Sequence, residues 1–308
     1  MDYSLRLNGF LSKGYDLEGT FKELSKIEGA TYVDLNYPEH FENNSLEEIV
    51  SLLNKYNLKV SSVAARFRVG FENGEFTNPD PTVVDRAVQI AKKTSDMAKE
   101  LGCNHVILWF ANDGWTYSFE VDYEKIWNQS RDSLRKVCDH NKDVRISIEY
   151  KPFEPRTFSL FSSAANTALM AKEVARDNIF VTIDLAHAYM KGEMPSASVC
   201  LLMRYGLLSA VHVNDGYGLM DDGMMVGSVR FIQTLEFYYY LIKYNYSNTI
   251  YFDTFPIREN PVEEVKQNIK MSDKIIELIH SIGMDEIAKI ISQNDAVKAQ
   301  KIMMMCLK

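Results

Sequence analysis

The chain has 308 residues, 46% of them apolar and 25% charged, with 15 Gly and 8 Pro, so it can bury one large core and is neither disordered nor collagen-like. Its 42 acidic against 34 basic residues give a formal charge of −8, and no Lys/Arg-rich run forms a stripe that tracks a phosphate backbone; nucleic acid is excluded as the expected partner. The longest apolar stretches, residues 106–111 and 179–183, fall short of the roughly 20 residues of a membrane-spanning helix, and none is expected.

Runs rich in β-branched and aromatic residues recur at 4–8, 32–36, 60–64, 105–110, 145–149, 180–184, 210–213 and 249–253, with segments of helical period between them. After the third run, Asp80-Pro81 opens a helix in which Val83, Ala87, Ile90 and Ala91 repeat at helical intervals up to Gly102. A helix is predicted over 160–174, and Asn260-Pro261 opens another after the eighth run. Eight strands at a mean spacing of roughly 35 residues, each followed by a helix, predict an α/β fold, a (β/α)8 TIM barrel over 1–283. A C-terminal helical tail over 284–308 follows, its Ile287, Ile290, Ile291 and Val297 packing either on a neighbouring copy or on their own barrel. Residues 1–10 carry no apolar core of a secretory signal, and Cys103, Cys138, Cys200 and Cys306 show no paired spacing; the expected chain is cytoplasmic with reduced thiols.

In such a barrel the reacting groups stand at the C-terminal ends of the strands, where the loops converge on one mouth. The fifth run ends at Glu149, the sixth at Asp184, the seventh carries His212 and the eighth ends at Asp253, spaced 35, 28 and 41 residues apart. Each interval is near one βα repeat, so all four point into one mouth as a metal-ligand set. Three carboxylates and an imidazole without thiolate favour Mn²⁺, Mg²⁺ or Co²⁺, with Zn²⁺ also compatible. His187, three residues beyond Asp184, and Asp221 with Asp222 form a second set that either holds a second ion or serves as a structural histidine and a solvated turn before Gly223. Lys151 follows Glu149 by two and leans to the same side of the strand, where it would donate to a developing oxyanion.

These residues carry a family resemblance. The segment Glu149-Tyr150-Lys151-Pro152-Phe153-Glu154-Pro155-Arg156 resembles the E-x-K-P-x-E-P-R signature of xylose isomerases, in which the Glu bridges two metal ions and the Lys contacts the substrate oxygen. Asp184-Leu185-Ala186-His187 is similar to the acid-x-x-His pair that gives one ligand to each metal in xylose and L-rhamnose isomerases. His212-Val213-Asn214-Asp215 followed by residues 221–228 looks like the H-x-N…D-D-D-x-x-x-G-S segment of bacterial L-rhamnose isomerases, with Gly223 where the last Asp would be and one extra residue before Asp221. Trp109 opens a segment resembling W-F-A-D-G of that branch, whose Trp forms an apolar wall against the sugar.

The resemblance spans roughly residues 105–260. It implies a divalent-metal-dependent sugar isomerase, with one or two ions per chain held by Glu149, Asp184, His212, Asp253, His187 and Asp221. An aldose and a ketose would interconvert by a hydride shift between C1 and C2, with Glu149, Lys151 and Asp253 as the catalytic groups. Trp109, Lys151 and His187 would line the sugar. Arg66 ends the third run and reaches toward the mouth, while His40, beyond the second, is either a sugar-binding histidine of the kind such relatives place there or a loop histidine. Two alternatives stand beside the isomerase: a ketose 3-epimerase in which Glu149 and Asp253 pass a proton from opposite sides of the sugar, and a non-catalytic sugar-binding relative. No Gly-rich phosphate cradle is visible, so an unphosphorylated sugar is expected, and family analogy gives a homo-oligomer, dimer or tetramer.

Overall fold

The computed structural model describes residues 1–307. In chain order the strands are β1 (Tyr3–Arg6), β2 (Ala30–Tyr37), β3 (Lys59–Ala65), β4 (His105–Trp109), β5 (Gly114–Trp115), β6 (Arg145–Glu149), β7 (Phe158–Ser159), β8 (Ile179–Asp184), β9 (Leu208–Val213) and β10 (Ile250–Phe252). Eight of them close into a parallel barrel in the order β1, β10, β9, β8, β6, β4, β3, β2. These are the eight predicted runs, shifted by a residue or two at their ends. The other two, β5 and β7, form an antiparallel ribbon beside the mouth, each strand too short to carry a pattern of its own.

Parallel strands covered on both faces read as near-continuous apolar runs, and β9 is buried along its whole length. Helices form the outer layer. Pro81–Glu100 starts on Asp80, whose side chain accepts from Thr82 N at 2.8 Å, and lays Val84, Ala87, Val88, Ala91 and Ala98 inward. Leu46–Lys55 starts on a reciprocal capping box of Ser45 and Glu48. The helix expected from residue 160 starts at Ala164, because Phe158–Ser159 is spent in the ribbon with Gly114–Trp115 and Ser163 supplies the cap.

Inside the barrel the filling is unusually polar. The hydroxyls of Ser4, Ser61 and Ser62 converge on Asp34, and His105, Ser209, Ser147 and Thr182 form a hydrogen-bonded chain. Each of these eight groups thereby finds a partner where a barrel usually carries branched aliphatics.

Strand register sets the site. Trp109 lies level with Glu149, Glu149 with Thr182, Asp184 with His212, and His212 with Tyr251. C-terminally, Pro261–Ile282 stops at Gly283, whose φ of +93° favours glycine, and helices Met284–Ser292 and Ala296–Cys306 follow. Ile287 and Ile290 are buried on their own chain, whereas Ile291 and Val297 are exposed. All four cysteines are free, and no helix among the described residues is long and apolar enough to cross a membrane.

Candidate functional site

Glu149 ends β6, Asp184 ends β8, His212 lies on β9, and Asp253 follows β10. One ligand-type atom from each lies within 4.8 Å of the others, so the four strand ends meet as their spacing predicts. A second group, Asp184, His187 and Asp221, meets the same limit, and Asp184 belongs to both. Glu149 stands between them. Its Oε1 lies 3.4 Å from His187 Nδ1 and its Oε2 lies 3.4 Å from His212 Nδ1.

Local folding explains these placements. Asp184 is the last strand residue and also the N-cap of helix Leu185–Lys191, accepting from His187 N at 3.0 Å, so the same turn that caps the helix delivers His187 beside its capping carboxylate. Asp221 comes from the loop after β9, and the extra residue before it does not prevent its Oδ2 from reaching His187 Nε2 at 3.1 Å. Asp222 turns away to accept from Tyr217 N. Gly223 has φ +56°, and a β-carbon there would overlap the Phe255 ring, so this position admits no aspartate.

The cluster is electrostatically crowded. Burial raises Asp184, and the neighbouring Asp221, Asp253 and Glu149 add to that against the pull of His187, leaving its carboxyl at about 7. Glu149 is equally buried, yet His212 and His187 outweigh desolvation and hold it down at about 2. Burial also works against charge on the two imidazoles; carboxylates on every side overcome it and push His187 and His212 up to about 9. Lys151 Nζ lies 3.1 Å from both Asp221 Oδ2 and Glu154 Oε2 and 5.3 Å from the centre of the Trp109 ring. Although buried, it stays charged because those carboxylates outweigh its desolvation.

Among the described residues nine buried polar side-chain atoms lack a partner. Five of them, Arg66 Nε, Trp109 Nε1, His187 Nδ1, His212 Nδ1 and Asp221 Oδ1, belong to the mouth. Orphaned donors and acceptors of this kind mark a place where something binds. Two imidazole nitrogens and surplus carboxylate oxygens without thiolate fit a hard or borderline divalent cation.

The sequence profile of the xylose isomerase-like TIM barrel family matches residues 21–275. The chain belongs to this family. Xylose isomerase of Thermus thermophilus is 25% identical over 221 residues, covering 69% of this chain and 57% of that enzyme. Xylose isomerase of Bacillus spizizenii is 26% identical over 189 residues, covering 58% and 42%. The chain thus spans about half the length of the curated relatives it matches. Among solved structures, an L-ribulose 3-epimerase superposes with TM-score 0.74 at 17% identity over 95% of this chain and 98% of that one. The IolI protein, solved with a zinc atom, superposes with TM-score 0.71 at 17% identity over 90% and 98%. Likenesses at such identities show the shared barrel.

Within this xylose isomerase-like barrel, several supporting residues carry no metal-ligand signature. Asn214 Nδ2 donates to both oxygens of Asp184 at 3.3 and 3.1 Å and to Asp253 O, while its Oδ1 accepts from Ala186 N at 2.9 Å. Asp215 accepts from Gly216, Val229 and Arg230 N and so shapes the loop that presents Asp221. Arg156 reaches Asn112 O, Glu72 O and Glu120, tying three loops of the mouth together. The second half of the E-x-K-P-x-E-P-R segment is therefore scaffold: Glu154 holds Lys151, and Arg156 holds the rim.

Arg6 is the charged group with the faintest sequence signal, position at a strand end. It ends β1, forms an ion pair with Asp253 and lies 4.5 Å over the Phe255 ring. Arg66 sits beside Trp109, its Cζ 5.7 Å from the ring. His40 is held through both ring nitrogens. Its Nδ1 accepts from Asn36 N of β2 at 3.1 Å and its Nε2 meets Asn8 Oδ1 beyond β1 at 3.0 Å, so both nitrogens have partners within the chain. Burial drives its pKa down to about 4, and Arg66 and Arg6 reinforce that against Glu39, which fits a neutral ring in a structural role.

Proposed function

We propose that this chain is a divalent-metal-dependent sugar isomerase that interconverts an aldose and a ketose in open-chain form. The observation that supports it best is the pair of donor groups sharing Asp184, with Lys151 and Trp109 beside them. Glu149, Asp184, His212 and Asp253 would hold one ion and Asp184, His187 and Asp221 a second, Glu149 standing between the two. Bound Mn²⁺, Mg²⁺ or Co²⁺ would supply Lewis-acid polarisation of the sugar oxygens.

The chain's own groups do the rest. Lys151 is a fixed cation in a water-poor pocket and donates to the carbonyl oxygen as negative charge develops there, when hydrogen moves between C1 and C2. Its two carboxylate partners keep it protonated and aimed. Trp109 supplies a flat apolar wall and an unpartnered Nε1–H for a sugar hydroxyl. Ketose 3-epimerisation through Glu149 and Asp253 is the second reading, and the proximity of those two carboxylates favours it. Asp253, however, is engaged by Arg6 in an ion pair that occupies one of its oxygens.

The test is a Mn²⁺- or Co²⁺-supplemented assay with a panel of aldoses and ketoses in D₂O, read by NMR. A C1–C2 isomer free of solvent deuterium is expected. Deuterium at C3 of a ketose would replace the isomerase by the epimerase, and absence of any product would leave a binding protein.

A further inference from the structure

The mouth has a second, basic side that the metal-site chemistry does not use. Arg66 and Arg68 beyond β3 reach Glu39, and Arg6 at the end of β1 pairs with Asp253, close enough to Arg66 for their like charges to oppose each other. Glu39 is saturated: Asn8 Nδ2 donates to its Oε1 at 3.0 Å, while Arg68 Nη2 at 2.6 Å and Asn36 Nδ2 at 3.4 Å donate to its Oε2, with Arg66 Nε 3.8 Å away. Asp253, the partner of Arg6, belongs to the metal-ligand group. Three guanidinium groups thus share two carboxylates, one of which has another task. Arg66 Nε is buried and has no acceptor, which is costly for a charged donor. Desolvation, with the like charges of Arg6 and Arg68, weakens the hold of Arg66 on its proton, the opposite of a comfortably paired arginine.

Sugar hydroxyls both donate and accept, whereas arginine only donates. A surplus of forked donors with every nearby carboxylate committed matches a planar or tetrahedral oxyanion. Placement agrees. Trp109 is flanked by Lys151 and Arg66, so one open-chain sugar lying along the indole meets Lys151 near its reacting carbons and Arg66 toward its other end. A cleft of about 390 Å³ opens beside Arg6 and Glu39, lined also by Asn8, Thr254 and Phe255; of the three arginines Arg6 lines it, and Arg66 and Arg68 adjoin it through Glu39.

We propose that Arg66, Arg68 and Arg6 form an anion subsite, so that the preferred substrate is an acidic sugar carrying a carboxylate or phosphate at the end remote from the reacting carbons. This rests on the isomerase reading above for the position of the reacting end, and in its phosphate form it departs from the unphosphorylated sugar expected from the sequence.

The test has two arms. In the first, the Mn²⁺-loaded protein is assayed with matched neutral sugars, uronates and terminal sugar phosphates. The subsite predicts kcat/KM higher for an anionic sugar than for its neutral counterpart by about 10- to 100-fold, the worth of one or two charge-assisted hydrogen bonds, and a KM for that sugar raised by a similar factor in Arg66→Met. Arg68→Met, at a more exposed position, gives a smaller rise in KM and guards against a folding defect in the first variant. Uronates preferred over phosphates would assign a carboxylate, and the reverse a phosphate. Equal or better use of neutral sugars, with KM unmoved in both variants, would overturn the subsite and leave the isomerase standing.

The second arm needs no turnover. Thermal shift and calorimetry with D-gluconate and inorganic phosphate, against acetate as control, should show binding that weakens at least tenfold in Arg66→Met. Such binding without turnover of any sugar would refute the isomerase and keep the subsite; absence of binding together with no preference in the assay would refute the subsite.

Discussion

On one side of the barrel mouth, the ends of β6, β8 and β9 bring carboxylates and two histidines together; on the other, the end of β3 brings Arg66 and Arg68 to Glu39 and the end of β1 brings Arg6 to Asp253. The acidic side gathers like charges that raise Asp184 and keep both imidazoles protonated, whereas the basic side leaves a buried Arg66 donor without an acceptor. Asp253 and Arg6 form the one direct ion pair between them. Each side is electrostatically incomplete on its own, which is how a preorganised site differs from an ordinary surface network.

The sharpest way to break this contrast is to remove its acidic half. Glu149→Gln or Asp184→Asn should lower isomerase activity by about 10³-fold or more and weaken calorimetrically measured Mn²⁺ binding in parallel. Full activity in either variant would dissolve the proposed centre. Lys151→Met should lower kcat by about 10²- to 10³-fold with metal affinity little changed. If metal affinity falls instead, Lys151 serves to hold Asp221 and the charge contrast has no part in turnover. Asn214→Ala removes two hydrogen bonds from Asp184 and should cost about 10- to 100-fold in metal affinity or activity, with the fold intact by circular dichroism. An unchanged titration would show that Asp184 is placed by β8 alone.

Acid–base behaviour gives a finer test. Protons on His187 and His212 must leave when a cation takes their nitrogens, so Mn²⁺ affinity should rise with pH from about 7 to 9, and titrations in two buffers of different ionisation heat should report proton release. The metal-free protein should show the converse. Folded-state pKa values near 9, raised from 6.5, give stability that is complete below pH 6.5 and lost as pH climbs through 9. Denaturant midpoints measured across that window, flat without metal, would remove the charged histidines.

The acidic half was legible in the sequence because its groups lie close together along the chain. Glu149, Lys151, Glu154 and Arg156 fall in one segment, Asp184 and His187 in one turn, His212, Asn214 and Asp215 in one strand end. The barrel was equally legible, since strands buried on both faces leave dense apolar runs at regular intervals. Asn214 stood inside a quoted motif without a role, because hydrogen bonds to another strand's carboxylate leave no spacing signature. The basic half was harder for the same reason: Arg6, Glu39 and the pair Arg66 and Arg68 are drawn from three βα units and meet only through the packing of β1, β2 and β3 side by side. His40 lies near the mouth, and the sequence left open what its ring nitrogens meet; Asn36 and Asn8 take them.

Gly223 carries a consequence for how such sites diversify. The Phe255 ring occupies the volume that any side chain at 223 would need, and Phe255 N also donates to Gly223 O at 2.7 Å. Phe255 in turn lies under Arg6. An acid could enter at 223 only if the aromatic ring left 255, and that departure would take the ring from beneath Arg6 and leave Arg6 its ion pair with Asp253. The loops after β9 and β10 are therefore coupled in a fixed order: a side chain at 223 requires a smaller residue at 255 first, and the reverse order of change meets a clash.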